Sequence, residues 1–304
     1  MLKLLVARTA LRLVRYSRRP VGFALVYHAV GPRTGDPARE LVPPHGRELF
    51  AAQIRFLARR FRPVRASELL DAVHNRAPWG RVPVAVTFDD DLASHRLEVL
   101  PVLERYGVPG TFFLAGPVRP PKPLWWSWLQ KTFDAGLLVP GDADIHALAQ
   151  TVENLPPDQR DRESLRLASM AVDDVGPAAM AVGDIRALDA AGSEIGFHTV
   201  GHYALPTLDA ATLASEVTRG RAELANEAAQ PVTSFAYPHG KNDAAACEAV
   251  ATAGYELAFT TSAEPVTGVT DPLRVGRLQP SFESVDEFEL EVFRLLRGAF
   301  LGGG

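Results

Sequence analysis

The chain has 304 residues, 47% of them apolar, and a formal net charge of -4, which allows one large domain or two small ones with an ample core. That charge, with no basic reader motif, excludes a nucleic-acid-binding signature. Its one cysteine, Cys247, excludes an internal disulfide and a cysteine-based zinc site, and reads as a small core residue of an Ala-rich helix.

In chain order, residues 1–20 come first as a basic amphipathic segment. A helical reading puts Leu2, Val6, Ala10 and Leu13 on one side and Arg8, Arg12, Arg15 and Arg19 on the other. Arginines break the apolar run too often for it to span a bilayer, and no clear signal-peptide cleavage pattern follows. Such a helix either lies on an anionic membrane or packs on the domain behind it. The first reading makes the protein cytoplasmic, peripheral at the inner face of the membrane. Nothing in the sequence specifies an oligomer.

Residues 21–304 read as one domain of alternating strands and helices. Strands are expected at 22–28, 82–88, 110–114, 194–198, 232–237, 256–261 and 274–278. Helices are expected at 47–61, 96–106, 185–191, 211–227 and 244–253. This alternation argues for an α/β fold with a parallel sheet or barrel. The stretch of about 117–184 is too long for one barrel connection, and its composition predicts an insertion of two or three helices. Trp125, Trp126 and Trp128 stand near its start. Exposed tryptophans would stack on sugar rings or roof a cleft. Helix core is the plainer reading, since adjacent residues do not share one narrow helix face.

Three clusters at strand ends carry the chemistry. Thr87-Phe88 leads into Asp89, Asp90 and Asp91, three carboxylates that repel one another less when a cation sits among them. Consecutive side chains diverge, so one aspartate can bind an ion while its neighbour faces substrate. A solvated turn and helix cap is the plain alternative. His198-Thr199-Val200-Gly201-His202 ends another strand. A helical turn there would put His198 and His202 on one face, a common metal-ligand pair. The third cluster, Phe235-Ala236-Tyr237-Pro238-His239-Gly240, is a turn able to aim a backbone N–H at an oxyanion.

TFDD, HTVGH and FAYPHG, in that order, resemble the polysaccharide deacetylase family with NodB homology, also called carbohydrate esterase family four. The likeness runs from about Gly22 to Pro280 and includes Val108–Leu114 and Leu188–Gly196. It implies a distorted (β/α) barrel of about seven parallel strands with a helical insertion. It implies a metal-dependent hydrolase that removes N- or O-linked acetyl groups from a glycan, and the membrane reading of residues 1–20 adds a lipid-linked sugar as a candidate substrate. Residue by residue, it makes Asp89 the catalytic base and Asp90, His198 and His202 the ligands of one divalent ion. Zinc is the expected metal, with cobalt, nickel or manganese also suited. Thr199 would brace its loop, and Tyr237, Pro238, His239 and Gly240 would line the acetyl site.

The sequence departs from that pattern in places. No histidine follows His239, where the family carries its general acid. Some members carry a Tyr-His pair at the N-terminal strand instead, and Tyr27-His28 is similar, so His28 is the expected acid. Ala236 stands where many members have a base-orienting arginine, as it does in other FAYP-type members. Arg277 is a candidate to supply that charge, with an ordinary salt bridge as the alternative. Asp91 replaces a common glycine and His239 a common aromatic. His95 reads as helix packing. Two other functions stay open: hydrolysis of another acyl group or small amide, and glycan binding without turnover.

Overall fold

Apolar runs rich in β-branched and aromatic residues, with no polar alternation, form strands buried on both faces. In the computed structural model these are β1 (Val21–Tyr27), β5 (Pro83–Asp89) and β6 (Gly110–Leu114), every residue of which is buried. The structure describes residues 19–33, 39–116, 125–138, 144–171 and 179–301, and also Leu4, Ala7, Thr9, Leu11, Ser17 and Asp36. The remaining strands are β2 (Val30–Gly31), β3 (His45–Gly46), β4 (Arg62–Val64), β7 (Glu194–Phe197), β8 (Ser234–Ala236), β9 (Leu257–Phe259) and β10 (Val266–Thr267).

Parallel pairing runs β1–β5–β6–β7–β8–β9. β4 pairs with the start of β5, β10 lies antiparallel on β1, and β2 and β3 form a small separate pair. The expected strand 274–278 is not a continuous ladder. It must reach from β9 across to β1, so it makes isolated parallel bridges, Val275 to Phe259 and Leu278 to Leu25. Backbone bonds from Val275 to Ala258 and from Leu278 to Ala24, both 2.9 Å, stitch the ring closed. The sheet is therefore a distorted barrel, as expected.

Two expected helices differ. Residues 211–227 form two helices, Ala210–Glu216 and Arg221–Ala228, separated at Gly220 with φ 90°. Residues 96–106 begin as a π turn at His95–Val99, because Pro101 lacks the N–H that would continue an ordinary ladder into Leu100–Tyr106. The carboxy-terminal helix Val285–Leu301, unforeseen, buries Phe288, Val292 and Leu296 completely.

The insertion holds helices Trp125–Asp134, Ile145–Glu153 and Pro157–Met170. They share a small core of Trp125, Trp126, Leu129, Val152 and Leu167. The adjacent tryptophans are both buried, contrary to the narrow-face argument. They meet edge to face at 5.6 Å, and Trp126 also packs on His202 at 4.7 Å, so the insertion and the barrel enclose the pair from two sides.

Leu4, Ala7, Thr9 and Leu11 are helical, with Ala7 buried and Leu11 packed on the main core. Leu2, Val6, Ala10, Leu13, Arg8, Arg12 and Arg15 lie outside the described residues. Exposed Arg19 donates to the Ala299 carbonyl at 2.9 Å. Half-buried Cys247 packs against the same core. No described helix is long and apolar enough to cross a membrane.

Candidate active site

The strand C-termini open into a cleft of about 620 Å³ whose walls include His28, Asp89, Asp90, His198, His202 and His239. Asp89 ends β5, and Asp90 follows with φ 72°. An oxygen of each carboxylate lies within 4 Å of His198 Nε2, at 3.9 Å for Asp89 and 3.8 Å for Asp90. Asp91 serves the neighbouring strand. Its carboxylate accepts the backbone N–H groups of Ala115 and Gly116, at 3.1 and 3.3 Å, which pins the end of β6.

Asp89 is gripped by Arg277, a fully buried residue of the closing segment. The guanidinium donates to both carboxylate oxygens, at 2.6 and 2.7 Å. It also donates to the Thr260 carbonyl at 2.9 Å and to the Thr87 hydroxyl at 3.0 Å, so all three of its nitrogens are engaged. Burial pushes the Asp89 pKa up, but Arg277, His198 and His28 outweigh it and hold it at about 2. Asp89 is thus ionised and oriented.

His198 follows β7. Its Nδ1 lies 2.8 Å from the Ala236 carbonyl and must donate to it, which leaves the Nε2 lone pair for the cleft. That Nε2 is 3.8 Å from Asp90 Oδ1, and His202 Nε2 is 3.5 Å from the same oxygen. Burial lowers the His198 pKa to about 4, so the ring is neutral and able to ligate. Donor atoms of Asp90, His198 and His202 all lie within 4.8 Å of one another. Ligands about 2.0–2.2 Å from a tetrahedral ion stand roughly 3.4 Å apart. The residues present therefore fit a divalent cation.

The histidines do not meet by a helical turn. The chain between them kinks through left-handed Thr199 (φ 63°) and His202 (φ 51°). The Thr199 hydroxyl accepts the His202 N–H at 3.0 Å, and the Glu216 carboxylate accepts the Gly201 N–H at 2.8 Å.

The third turn divides. The Tyr237 hydroxyl points into the core, donating to the Leu273 carbonyl at 3.1 Å, and Pro238 is buried. Gly240 (φ 70°) abuts Thr261 so closely that a Cβ would lie 2.7 Å from its backbone nitrogen. These three shape the turn and are not among the residues that wall the cleft. His239 (φ 57°) does line it. Its ring lies 4.5 Å from that of His202, and its Nδ1 is 3.5 Å from Glu153 of the insertion. Lys241 binds the same glutamate at 2.5 Å.

His28, half-buried, follows β1 into the cleft, and burial lowers its pKa. His95 is fully buried between Phe88 and Phe112, with Nε2 3.3 Å from the His28 carbonyl. Glu153, Glu216 and Arg160 went unnoticed in the sequence. Each is a charged residue of an ordinary helix, and no motif distinguishes it from a solvated one.

Residues 78–155 and 162–258 match the family described as polysaccharide deacetylase. No curated protein sequence matches the chain. Among solved structures, it is similar to the Streptococcus pyogenes deacetylase PplD in complex with acetate, with TM-score 0.63, 15% identity, and 90% of this chain and 97% of that one covered. IcaB from Ammonifex degensii gives TM-score 0.58 at 21% identity, covering 89% and 97%. A de-N-acetylase from Aggregatibacter actinomycetemcomitans gives 0.59 at 16%, covering 88% and 99%. At such identities these likenesses establish the fold.

Proposed function

Because the chain belongs to the polysaccharide deacetylase family, we propose that it hydrolyses an N- or O-linked acetyl group on a glycan or a lipid-linked sugar. One observation carries this reading. Three metal-competent donors and an arginine-held carboxylate share one cleft at the strand C-termini.

Asp90, His198 and His202 would hold one divalent ion, with zinc the best match to the donor set. Bound there, the ion would polarise the acyl carbonyl and lower the pKa of water. Asp89 takes the proton from the attacking water as its oxygen closes on the acyl carbon. A carboxylate held at about 2 is a weak base, so its contribution lies chiefly in orientation, which Arg277 supplies. In this reading the backbone N–H of His239 serves as a donor to the developing oxyanion. His28 donates the proton that the leaving amine or alkoxide requires.

Acetate release from acetylated oligosaccharides, with zinc-replete and chelator-treated protein, tests the reading. Release that depends on zinc supports it. Release of a different acyl group in the same screen moves the substrate class. Zinc binding with no turnover of any acyl donor assigns the protein to glycan binding instead.

A further inference from the structure

The loop that carries His202 is strained, and something must hold it. Non-glycine residues in the left-handed region are strained and persist only where their surroundings over-determine them. Thr199 and His202 are two such residues within four positions. Thr199 and Glu216 secure N–H groups of this loop. Its carbonyls are secured from a different part of the chain.

Arg160 lies on the helix Pro157–Met170 of the insertion and is only 5% exposed. Its Nη1 donates to the His202 carbonyl at 2.7 Å, and its Nη2 donates to the Gly201 carbonyl. The guanidinium sits 3.8 Å over the Tyr203 ring. Asp161 lies 3.8 Å from Nη2 and accepts the Tyr203 hydroxyl at 2.9 Å. A planar cation with fixed donors is thus stacked, forked and buried against one short stretch, 201–203.

We infer that Arg160 is a positioning residue for the metal site, and that the insertion completes that site by holding His202 in its ligating conformation. The inference rests on the metal reading above. A rival account assigns Arg160 only its charge. The two accounts differ in sign. A positive charge near a divalent cation repels it, so by charge alone removing Arg160 would tighten metal binding. By positioning, removing it loosens the loop and weakens binding.

The test uses the full chain with Arg160→Met and Arg160→Lys. Zinc affinity is measured by competition with a chromophoric chelator, and cobalt coordination by visible absorption. Loss of a group that orients a ligand typically weakens metal affinity about 10–100-fold. Arg160→Met is expected to fall in that range and to dim the cobalt bands. Arg160→Lys, which keeps the charge but lacks the rigid planar fork that meets both carbonyls at once, is expected to recover part of the affinity. Zinc affinity equal to or tighter than that of the unaltered protein in both variants overturns the inference. If Arg160→Met does not fold, Arg160→Lys decides alone, with unchanged affinity as the overturning result. An unaltered chain that binds no zinc overturns the metal reading and this inference together. An unaltered chain that binds zinc while both variants match it overturns only this one.

Discussion

Arg277 meets Asp89 with both terminal nitrogens, at 2.6 and 2.7 Å, across 188 residues of chain and with neither side chain more than 3% exposed. A buried pair of this kind is worth little over an apolar replacement, but breaking it strands a charge at about 3–5 kcal/mol. Asp89→Asn is therefore expected to lower turnover by about 10²–10⁴, to leave zinc binding in place, and to destabilise the fold. Adding Arg277→Met removes the stranded cation. The double variant should be more stable than Asp89→Asn alone and equally inactive. Urea unfolding, zinc titration and acetate release check the three parts. Undiminished turnover in Asp89→Asn would reject the base assignment.

How much of this site the sequence disclosed depends on the range of each contact. Asp89, Asp90 and His198 sit at the ends of apolar strands, so their place at one barrel mouth follows from alternating strands and helices. His202 was legible as a candidate ligand, but for the wrong geometric reason. The loop reaches its partner through two left-handed residues, not a helical turn. Arg277 drew notice only as a charge at a strand end, and its partner is set by the barrel closure at Val275 and Leu278. Arg160 and Glu153 gave no local signal, because their roles arise when the insertion folds back over the cleft. Of the turn 237–240, it is His239, with its left-handed φ of 57°, that walls the cavity, and a strand-to-loop pattern does not say which turn residue will do so.

Acid should unfold the metal-free protein early. Burial lowers His45 to about 4, against the Pro280 carbonyl contact, and lowers His95 to about 3, against the His28 carbonyl contact. Both rings have an unfolded value of 6.5. Below 6.5 the unfolded chain gains protons that the folded chain does not. Their neutral burial thus contributes fully above 6.5 and is lost as pH falls toward 4. The slope is up to about 1.4 kcal/mol per pH unit for each ring. Asp89 adds a later loss, as pH falls from its unfolded value of 3.8 through about 2. Urea unfolding at pH 7.5, 6 and 5 measures this, and equal stability at all three would contradict it.

Gly240 offers a test of the third turn separate from the metal. Its φ of 70° already disfavours a side chain, and a Cβ would meet Thr261 Oγ1 at 2.0 Å and the backbone nitrogen at 2.7 Å. Gly240→Ala must displace backbone, so a loss of about 1–3 kcal/mol is expected. Turnover should fall while zinc affinity holds, since Asp90, His198 and His202 lie on other loops. Gly107→Ala is the control. It has φ 61° with nothing within 4 Å of its Cβ, so it carries backbone strain without a clash and should keep full turnover. Equal losses in zinc affinity and turnover for Gly240→Ala would mean the turn supports the whole site and not the acyl group.

His28 is the assignment most open to chemistry, because an acid matters only when the leaving group needs a proton. An amine expelled from an acetamide needs one, whereas a 4-nitrophenolate does not. Substituting His28→Gln should lower kcat for an N-acetyl sugar by about 10²–10⁴ and leave 4-nitrophenyl acetate hydrolysis nearly unchanged. Burial lowers the His28 pKa from 6.5, so at neutral pH the ring is mostly without the proton it must give. Amide hydrolysis should therefore decline with rising pH along a limb centred below 6.5, and the His28→Gln variant should lack that limb. Equal losses on both substrates would show instead that His28 holds the cleft in shape, since a structural defect does not distinguish leaving groups.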